Sequence, residues 1–175
     1  MKDSIWTYRL NDSEFLNKEI LKVIASAPTH RSDIGCDKIG NSDYDLEDRS
    51  LRSSYGNLFF DFAEPWIKAV NEHYHTSEFR VEGFWFHQYV TGDIFNFHIH
   101  PKCNLSFIYY VELPDKSATT EFYHVERDEV FQPDVSEGDI VIFPSYYPHR
   151  SPLITSASRK TILSGNISLY YVGNL

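Results

Sequence analysis

Apolar and polar positions in the N-terminal part of the chain follow two different spacings. Residues 5–10 alternate between apolar and polar side chains, which predicts a short edge strand. Apolar residues then recur at helical spacing, so we expect a helix that begins after Asp12 and ends near residues 27–28. A second helix is predicted over about residues 55–74, and Pro65 inside it should kink or split it.

The rest of the chain consists of two regions with different residue patterns. Residues 29–50 are polar, acidic and nearly aperiodic, so we expect a long loop that is either a lid or a solvated connection. From residue 80 onward, short aromatic and β-branched runs alternate with turn residues. These runs predict strands at about residues 81–90, 94–100, 105–112, 119–125, 139–143, 147–153 and 160–172. Many short strands with frequent turn signals predict a mainly β sandwich or barrel.

The order of these elements predicts a single domain over residues 1–175. Because helices come first and strands afterwards, the helices should brace one sheet. We expect a helical bracing region with the acidic loop over residues 1–79 and a β core over residues 80–175. An aromatic content of 16% agrees with this, because aromatic residues favour half-buried pleated surfaces.

Net charge and cysteine content limit the expected classes of binding partner and the expected cellular compartment. A net charge of −9 suits a phosphate backbone poorly, so nucleic acid is disfavoured as a partner. No apolar run approaches the length of a membrane span, and the first residues lack the apolar stretch of a signal peptide. Two cysteines without a close-spaced motif favour a reducing compartment, so we expect a soluble cytoplasmic protein.

Histidines in the β region carry the candidate chemistry. In a strand over 94–100, His98 and His100 would project from the same side with Cα atoms roughly 6.5 Å apart, close enough to share a metal. His149 could complete the ligand set, and Arg159 is a fixed cation for the carboxylate of an organic cosubstrate. This combination indicates an iron site with open positions for oxygen chemistry. Four other histidines have no partner at a comparable spacing and are interpreted as structural or surface residues: His73, His75, His87 and His124.

The segment over residues 88–100 resembles the region before the iron site in 2-oxoglutarate and Fe(II)-dependent oxygenases of the prolyl hydroxylase type. Residues 107–111 resemble the next strand of that family, and residues 138–144 resemble the strand that leads to the distal histidine. The resemblance extends over roughly residues 80–170. It is closer still to a small group of such oxygenases in bacteria and phages, through Trp85, Gly92, His98-Ile99-His100-Pro101, Leu105-Ser106 and Tyr109-Tyr110-Val111.

The resemblance implies a double-stranded β-helix, or jelly roll, with Fe(II) and 2-oxoglutarate as cofactors. It implies an oxidoreductase that hydroxylates a small-molecule or peptide substrate and releases succinate and CO2, with no catalytic residue beyond the metal site. The implied metal ligands are His98, His100 and His149. The implied 2-oxoglutarate-binding residues are Arg159, which the family pairs with the distal carboxylate, and Tyr110, with Tyr89, Asn104 and Asn166 as further candidates.

The chain departs from the family at one ligand. The usual triad is two histidines and one carboxylate, and His100 stands at the carboxylate position. His100 could ligate through nitrogen, or lie behind a water ligand, or a carboxylate such as Asp93 or Glu121 could reach the metal instead. We favour ligation by His100, because its spacing from His98 needs no rearrangement. Since ligating imidazoles must be unprotonated, metal binding should fail below about pH 6.5.

Two other functions fit parts of the pattern. A cupin-type dioxygenase or an isomerase could use three-histidine iron without 2-oxoglutarate, although Arg159 and Tyr110 argue against it. A non-catalytic jelly-roll binding module with a remnant site is kept open by the histidine at position 100.

Overall fold

A computed structural model describes residues 4–27, 30–34, 37–48 and 50–171. The prediction of a mainly β chain with N-terminal helices is confirmed. In chain order the elements are β1 (Trp6–Arg9), α1 (Ser13–Ala25), β2 (Arg31–Ile34), β3 (Asp37–Ser42), α2 (Ser50–Tyr74), β4 (Glu78–Tyr89), β5 (Phe95–His98), β6 (Leu105–Glu112), β7 (Glu121–His124), β8 (Glu129–Phe131), β9 (Asp139–Pro144), β10 (His149–Ser151) and β11 (Lys160–Tyr170).

The strands form two antiparallel sheets. The large sheet has the order β1-β9-β6-β11-β4-β3-β2, and the small sheet has the order β5-β10-β7-β8. From β4 onward the chain passes between the sheets, with only β7 and β8 following each other in the same sheet. Such crossing makes strands that are far apart in sequence, such as β5 and β10, neighbours in one sheet, as the metal hypothesis requires.

Both helices pack on one face of the large sheet. Leu16 and Ile20 of α1 and Phe59 and Trp66 of α2 are fully buried in one cluster with sheet residues. The Phe59 ring lies parallel to that of Phe107, with 5.9 Å between centroids. In the described part of the chain, no helix has the length and apolar character needed to cross a membrane.

One prediction in the N-terminal half is wrong. Where a loop was expected, β2 and β3 pair with each other as antiparallel strands, and β3 pairs with the edge of β4 through its last two residues. The sequence gives little sign of this pairing because the residues of both strands are largely polar. The second helix starts at Ser50 and continues through Pro65, so of the two effects expected of the proline, a kink or a split, the split does not occur. Buried residues before and after the proline hold both halves of α2 against the sheet. The predicted end of the first helix at residue 28 lies outside the described residues.

Strand alternation gives β4 two faces with different character. Phe84 and Phe86 point toward the helices and belong to the apolar cluster there. Trp85, His87 and Tyr89 point into the space between the two sheets. The interior between the sheets is therefore the buried region that holds the candidate chemistry.

Candidate metal centre

Three histidines converge between the sheets. His98 ends β5 and His149 begins β10, and the two residues are direct partners in the small sheet. His100 lies two residues beyond the end of β5. One nitrogen from each ring lies within 4.8 Å of the others, and 3.3 Å separates Nε2 of His100 from Nε2 of His149. Sequence spacing thus identified a triad that the structure positions to bind a metal.

The backbone route to this geometry differs from the predicted one. We expected one strand over 94–100, but β5 ends at His98, and the N–H of His100 donates to the carbonyl of Ser145 (2.8 Å). Within β5 the pairing is irregular, because His149 faces His98 whereas Ser151 faces Phe95. The extra residue on β5 is a bulge, a feature that re-aims side chains. The Phe95 ring stacks on His98 at 3.9 Å and holds it in place.

Hydrogen bonds to backbone carbonyls determine which nitrogen carries the proton on two of the rings. Nδ1 of His98 lies 2.8 Å from the carbonyl of Asn96, and Nδ1 of His149 lies 3.0 Å from that of Tyr147. A nitrogen facing a carbonyl must donate, so each neutral ring carries its proton on Nδ1 and keeps a lone pair on Nε2. This is how metal-binding histidines are normally oriented.

Burial keeps the triad unprotonated. It lowers the pKa of His98, and it lowers the pKa of His100 to about 4 with a further contribution from the charge of His98. The pKa of His149 lies well below its usual value, first because of burial and then because of the other two rings. Three neutral nitrogen donors suit a divalent transition metal. The expected loss of binding near pH 6.5 therefore shifts to lower pH.

Neither alternative carboxylate is available to the triad. Asp93 accepts a bond from the N–H of Val90 (2.8 Å) and pairs with Arg31. Glu121 pairs with Arg150 at 2.5 Å. Among the described residues, the group of three or more metal-ligating side chains consists of histidines alone.

Arg159, the predicted cation for the cosubstrate carboxylate, is half exposed and paired with another residue. Its guanidinium forms two 2.8 Å hydrogen bonds with the carboxylate of Glu112, and 47% of its side chain is exposed. The arginine precedes β11 and points to the outside of the sheet. The family pattern points to Arg159, whereas the next residue, Lys160, is the one that is buried.

Lys160 is a fully buried basic residue between the sheets, where Arg150, already paired with Glu121, also lines the space around the triad. Only 1% of Lys160 is exposed, and its Nζ donates to Oγ of Ser151 (3.1 Å) and lies 5.1 Å from the centre of the Tyr89 ring. It forms no ion pair with any residue that the structure describes. Burial lowers the pKa of this amine to about 7, against the opposing effect of the Glu121 charge. Its shared face with Ile162 and Ser164 was a sequence signal that could have identified it.

The other predicted cosubstrate residues lie in different environments. Tyr89 lines the interior beside the triad. Tyr110 is fully buried between the sheets, but its hydroxyl accepts a bond from the N–H of Thr120 (3.3 Å) and does not reach the triad. Asn104 caps a backbone N–H of β11 away from the interior. Asn166 lines a pocket outside the triad.

Two spaces adjoin the triad and share part of their lining. We call the first the inner cavity, of about 30 Å³, which the triad lines together with Trp85, His87, Tyr89, Thr120, Arg150, Ser151 and Ser164. The second is the outer pocket, of about 370 Å³, which His98 and His100 line together with Ile39, Tyr44, Trp85, His87, Ile99, Pro101 and Asn166. His87, interpreted from the sequence as structural or surface, lines both spaces.

No family model and no curated protein sequence matches this chain. Solved structures do. A 2OG-Fe(II) oxygenase family protein from Burkholderia pseudomallei superposes with a TM-score of 0.76 at 13% identity, over 95% of this chain and 86% of that one. A prolyl-4-hydroxylase from Pseudomonas putida gives 0.63 at 12% identity, over 94% and 92%. HygX from Streptomyces hygroscopicus, solved with nickel and 2-oxoglutarate, gives 0.70 at 9% identity, over 94% and 82%. The chain therefore has the fold of 2-oxoglutarate and Fe(II)-dependent oxygenases, as its sequence resemblance implied.

Proposed function

We propose that the protein is an Fe(II) and 2-oxoglutarate-dependent dioxygenase that hydroxylates a small-molecule or peptide substrate and releases succinate and CO2. The observation that carries this proposal is the buried amine of Lys160 in the same interior as three neutral imidazoles. Lysine is almost never fully buried unless it is paired. An anion that also binds a metal would both pair with the amine of Lys160 and coordinate a metal held by the three histidines. A keto diacid is such an anion.

We propose that residues 1–175 form one domain built on a double-stranded β-helix. The strands β4, β11, β6 and β9 of the large sheet and β5, β10, β7 and β8 of the small sheet provide its two layers of four. The shared apolar cluster of α1, α2 and the large sheet supports the single-domain assignment.

In this proposal Nε2 of His98 and Nε2 of His149 hold Fe(II), together with the ring of His100. The lowered pKa values mean that these ligands need not lose protons at neutral pH. Neutral ligands leave both charges of Fe(II) for a dianionic cosubstrate to compensate. When bound, Fe(II) provides the centre at which oxygen is reduced while the keto acid and the substrate are oxidised. The protein supplies the fixed ligand geometry and a buried environment.

Lys160 would hold the distal carboxylate of the keto acid, with Ser151 and Tyr89 beside it. A buried carboxylate restores the pKa of the amine toward its usual value, so binding takes up a proton when the pH is above about 7. The inner cavity of about 30 Å³ has room for roughly two or three water molecules. The side chains that line it must therefore move to admit a five-carbon acid.

The outer pocket is the proposed place of the substrate. It adjoins His98 and His100, and its apolar wall includes Tyr44, Ile99 and Pro101. Compact apolar pockets with few polar groups are typical of small-ligand sites. The net charge of −9 continues to disfavour nucleic acid.

Because Lys160 is buried and Arg159 is half exposed, substituting each residue in turn gives a direct test with a matched control. Fe(II)-loaded protein is titrated with 2-oxoglutarate without oxygen, and chelation is followed through its visible charge-transfer band. We expect Lys160→Met to weaken 2-oxoglutarate binding by roughly 100-fold or more, because a buried carboxylate loses its partner. Arg159→Ala should change it by less than about twofold, because its guanidinium lies outside the cavity.

Iron affinity should be the same in both variants. If the Arg159 variant lost affinity for 2-oxoglutarate and the Lys160 variant kept it, Arg159 would be the cation that binds the cosubstrate. If the wild-type protein bound iron and never chelated 2-oxoglutarate, a cupin-type reaction would replace the proposed one. If it bound no metal after reconstitution, the non-catalytic binding module would be favoured.

A further inference from the structure

His87 is a buried histidine that neither the metal triad nor the cation site accounts for. It lies on β4 with only 5% of its surface exposed, and it lines both the inner cavity and the outer pocket. Its ring packs near the rings of Tyr89 (5.6 Å) and Phe95 (6.2 Å). The position is therefore fixed by packing on two sides.

The neighbouring indole determines where His87 carries its proton. Nε1–H of Trp85 donates to Nε2 of His87 at 2.7 Å, so Nε2 must be the nitrogen with the lone pair. The ring is neutral, because burial lowers its pKa to about 3, with smaller contributions from His98, Lys160 and His100. The proton of the neutral ring is then on Nδ1.

Nδ1–H is a donor without an acceptor in the described structure. It is buried, and no group of the described residues accepts a hydrogen bond from it. An unsatisfied buried donor costs free energy. Three other buried groups of the described residues also lack a partner, on Trp66, His124 and Tyr147, but only His87 among the four lines the inner cavity and the outer pocket. A ligand oxygen in the adjoining cavity would satisfy the Nδ1–H of His87.

Strand register places this donor between the cation and the metal triad. On paired strands β4 and β11, Tyr89 faces Lys160, and His87 faces Ile162. Trp85 comes next along β4, and its ring stacks on His100 at 5.9 Å. Inward residues of a strand are spaced by about 7 Å, so His87 lies one step from the cation level and one step from the level of His100. A molecule that extends from Lys160 to the triad must pass it.

We propose that His87 is a cosubstrate-positioning residue whose Nδ1–H, oriented by Trp85, donates to an oxygen at the metal end of the keto acid. The inference rests on the proposed function. A neutral donor at this point would fix the rotation of the chelating group while adding no charge to the interior. It would also explain why a histidine held as a single tautomer occupies an otherwise aromatic wall.

Substitutions at position 87 separate the donor from the ring. His87→Phe keeps an aromatic ring and removes the donor, whereas His87→Asn keeps an N–H near the Nδ1 position. In the anaerobic titration of the Fe(II) protein, we expect His87→Phe to weaken 2-oxoglutarate binding by about 10- to 100-fold, the range for a hydrogen bond to a charged group. His87→Asn should recover most of that loss. Iron affinity should not change in either variant.

The position of the charge-transfer band distinguishes positioning from simple packing. A hydrogen bond to the chelating end stabilises the acceptor orbital of the keto acid, so its loss in His87→Phe should move the band to shorter wavelength. A band at the wild-type position, or unchanged affinity, overturns the proposal. Failure of the wild-type protein to chelate 2-oxoglutarate would instead refute the proposed function on which it rests.

The wild-type protein offers a second measurement that needs no variant. Nitrogen-15 NMR of the metal-free protein should show His87 with its proton on Nδ1. In protein loaded with diamagnetic Zn(II), the Nδ1 proton signal should move downfield when 2-oxoglutarate is added. A proton on Nε2, or a signal indifferent to 2-oxoglutarate, contradicts the proposal even if the substituted proteins do not fold.

Discussion

The two faces of the large sheet are made from the same strands and yet have opposite character. On the helix side, Phe84, Phe86 and Leu163 join an apolar cluster in which aromatic rings pack against one another. On the inner side, His87 and Lys160 stand at neighbouring positions of those strands and are equally buried. Burial alone therefore does not distinguish the core from the site. The distinction lies in what each buried group contacts.

The helix side follows local and global rules with one exception among the described residues, the buried indole N–H of Trp66, which has no hydrogen-bond partner. Helical periodicity, aromatic strands and close packing all favour the same arrangement, which is typical of regions that provide stability. At Gly165, a Cβ atom would come within 2.4 Å of the Phe107 ring. The lack of a side chain at this position therefore leaves the room that the ring occupies. The inner side breaks those rules by burying an unpaired amine and several imidazoles. Such groups cost stability, and their concentration in one interior indicates a function.

The sharpest way to test this comparison is to remove a triad ligand and compare it with another buried histidine. His149→Ala deletes one of three converging nitrogens, and we expect metal affinity to fall by roughly a thousandfold or more, since losing even a supporting partner costs 10- to 100-fold. His124 is equally buried on β7 and lies outside both cavities, so His124→Ala should keep full metal affinity. Metal titration by calorimetry measures both.

Equal metal losses in these two variants would mean that the effect comes from unfolding of the small sheet, and the division between site and core would fail. Circular dichroism spectra of the two variants serve as the control for folding.

The corresponding test of the helix side removes an aromatic ring. Phe59 contacts Phe84, Phe107, Tyr109 and Trp66 and is fully buried. Phe59→Ala should lower the free energy of unfolding by about 3–5 kcal/mol, because it removes a large apolar surface and leaves a cavity. The fraction that remains folded should still bind one metal ion per chain. Chemical denaturation and metal stoichiometry check the two statements. Loss of stoichiometric binding in folded protein would show that the two faces are coupled.

The same contrast explains how far the sequence could predict the molecule. The β texture after residue 80 and the two helices follow from periodicity, which depends only on neighbouring positions. The triad followed from the spacing of His98 and His100 together with a family pattern. The sequence does not show which of two neighbouring basic residues is buried, because that depends on strand register. Arg159 and Lys160 differ by one position, and a one-residue shift exchanges the inside and the outside of a strand.

Long-range contacts set the limits of prediction in two other places. The pairing of β2 with β3 depends on the addition of β3 to β4 and on Asp37, whose carboxylate accepts a bond from the N–H of Asn96 (3.1 Å). The residues of the two strands are too polar to show a strand pattern. His87 looked unremarkable because its partner Trp85 is only two residues away, and that spacing has no meaning until the strand and its inner face are known.

The smallest of the expected effects is the loss of stability that comes from burying the Lys160 amine on the inner side. It can be measured as a dependence of the free energy of unfolding on pH. The pKa of Lys160 is about 7 in the folded protein against 10.5 in an exposed lysine. Between these values the unfolded chain binds one more proton than the folded one, so the stability of metal-free protein should rise with pH, by at most about 1.4 kcal/mol per pH unit from this group. Lys160→Met removes that dependence and should be the more stable protein at pH 7.5, with the advantage shrinking by about 2 kcal/mol toward pH 9. Denaturant unfolding of both proteins at several pH values provides the difference curve, in which other titrating groups cancel. A flat difference curve would mean that the amine is charged and compensated in the folded state, and the inner side would then be no more costly than the helix side.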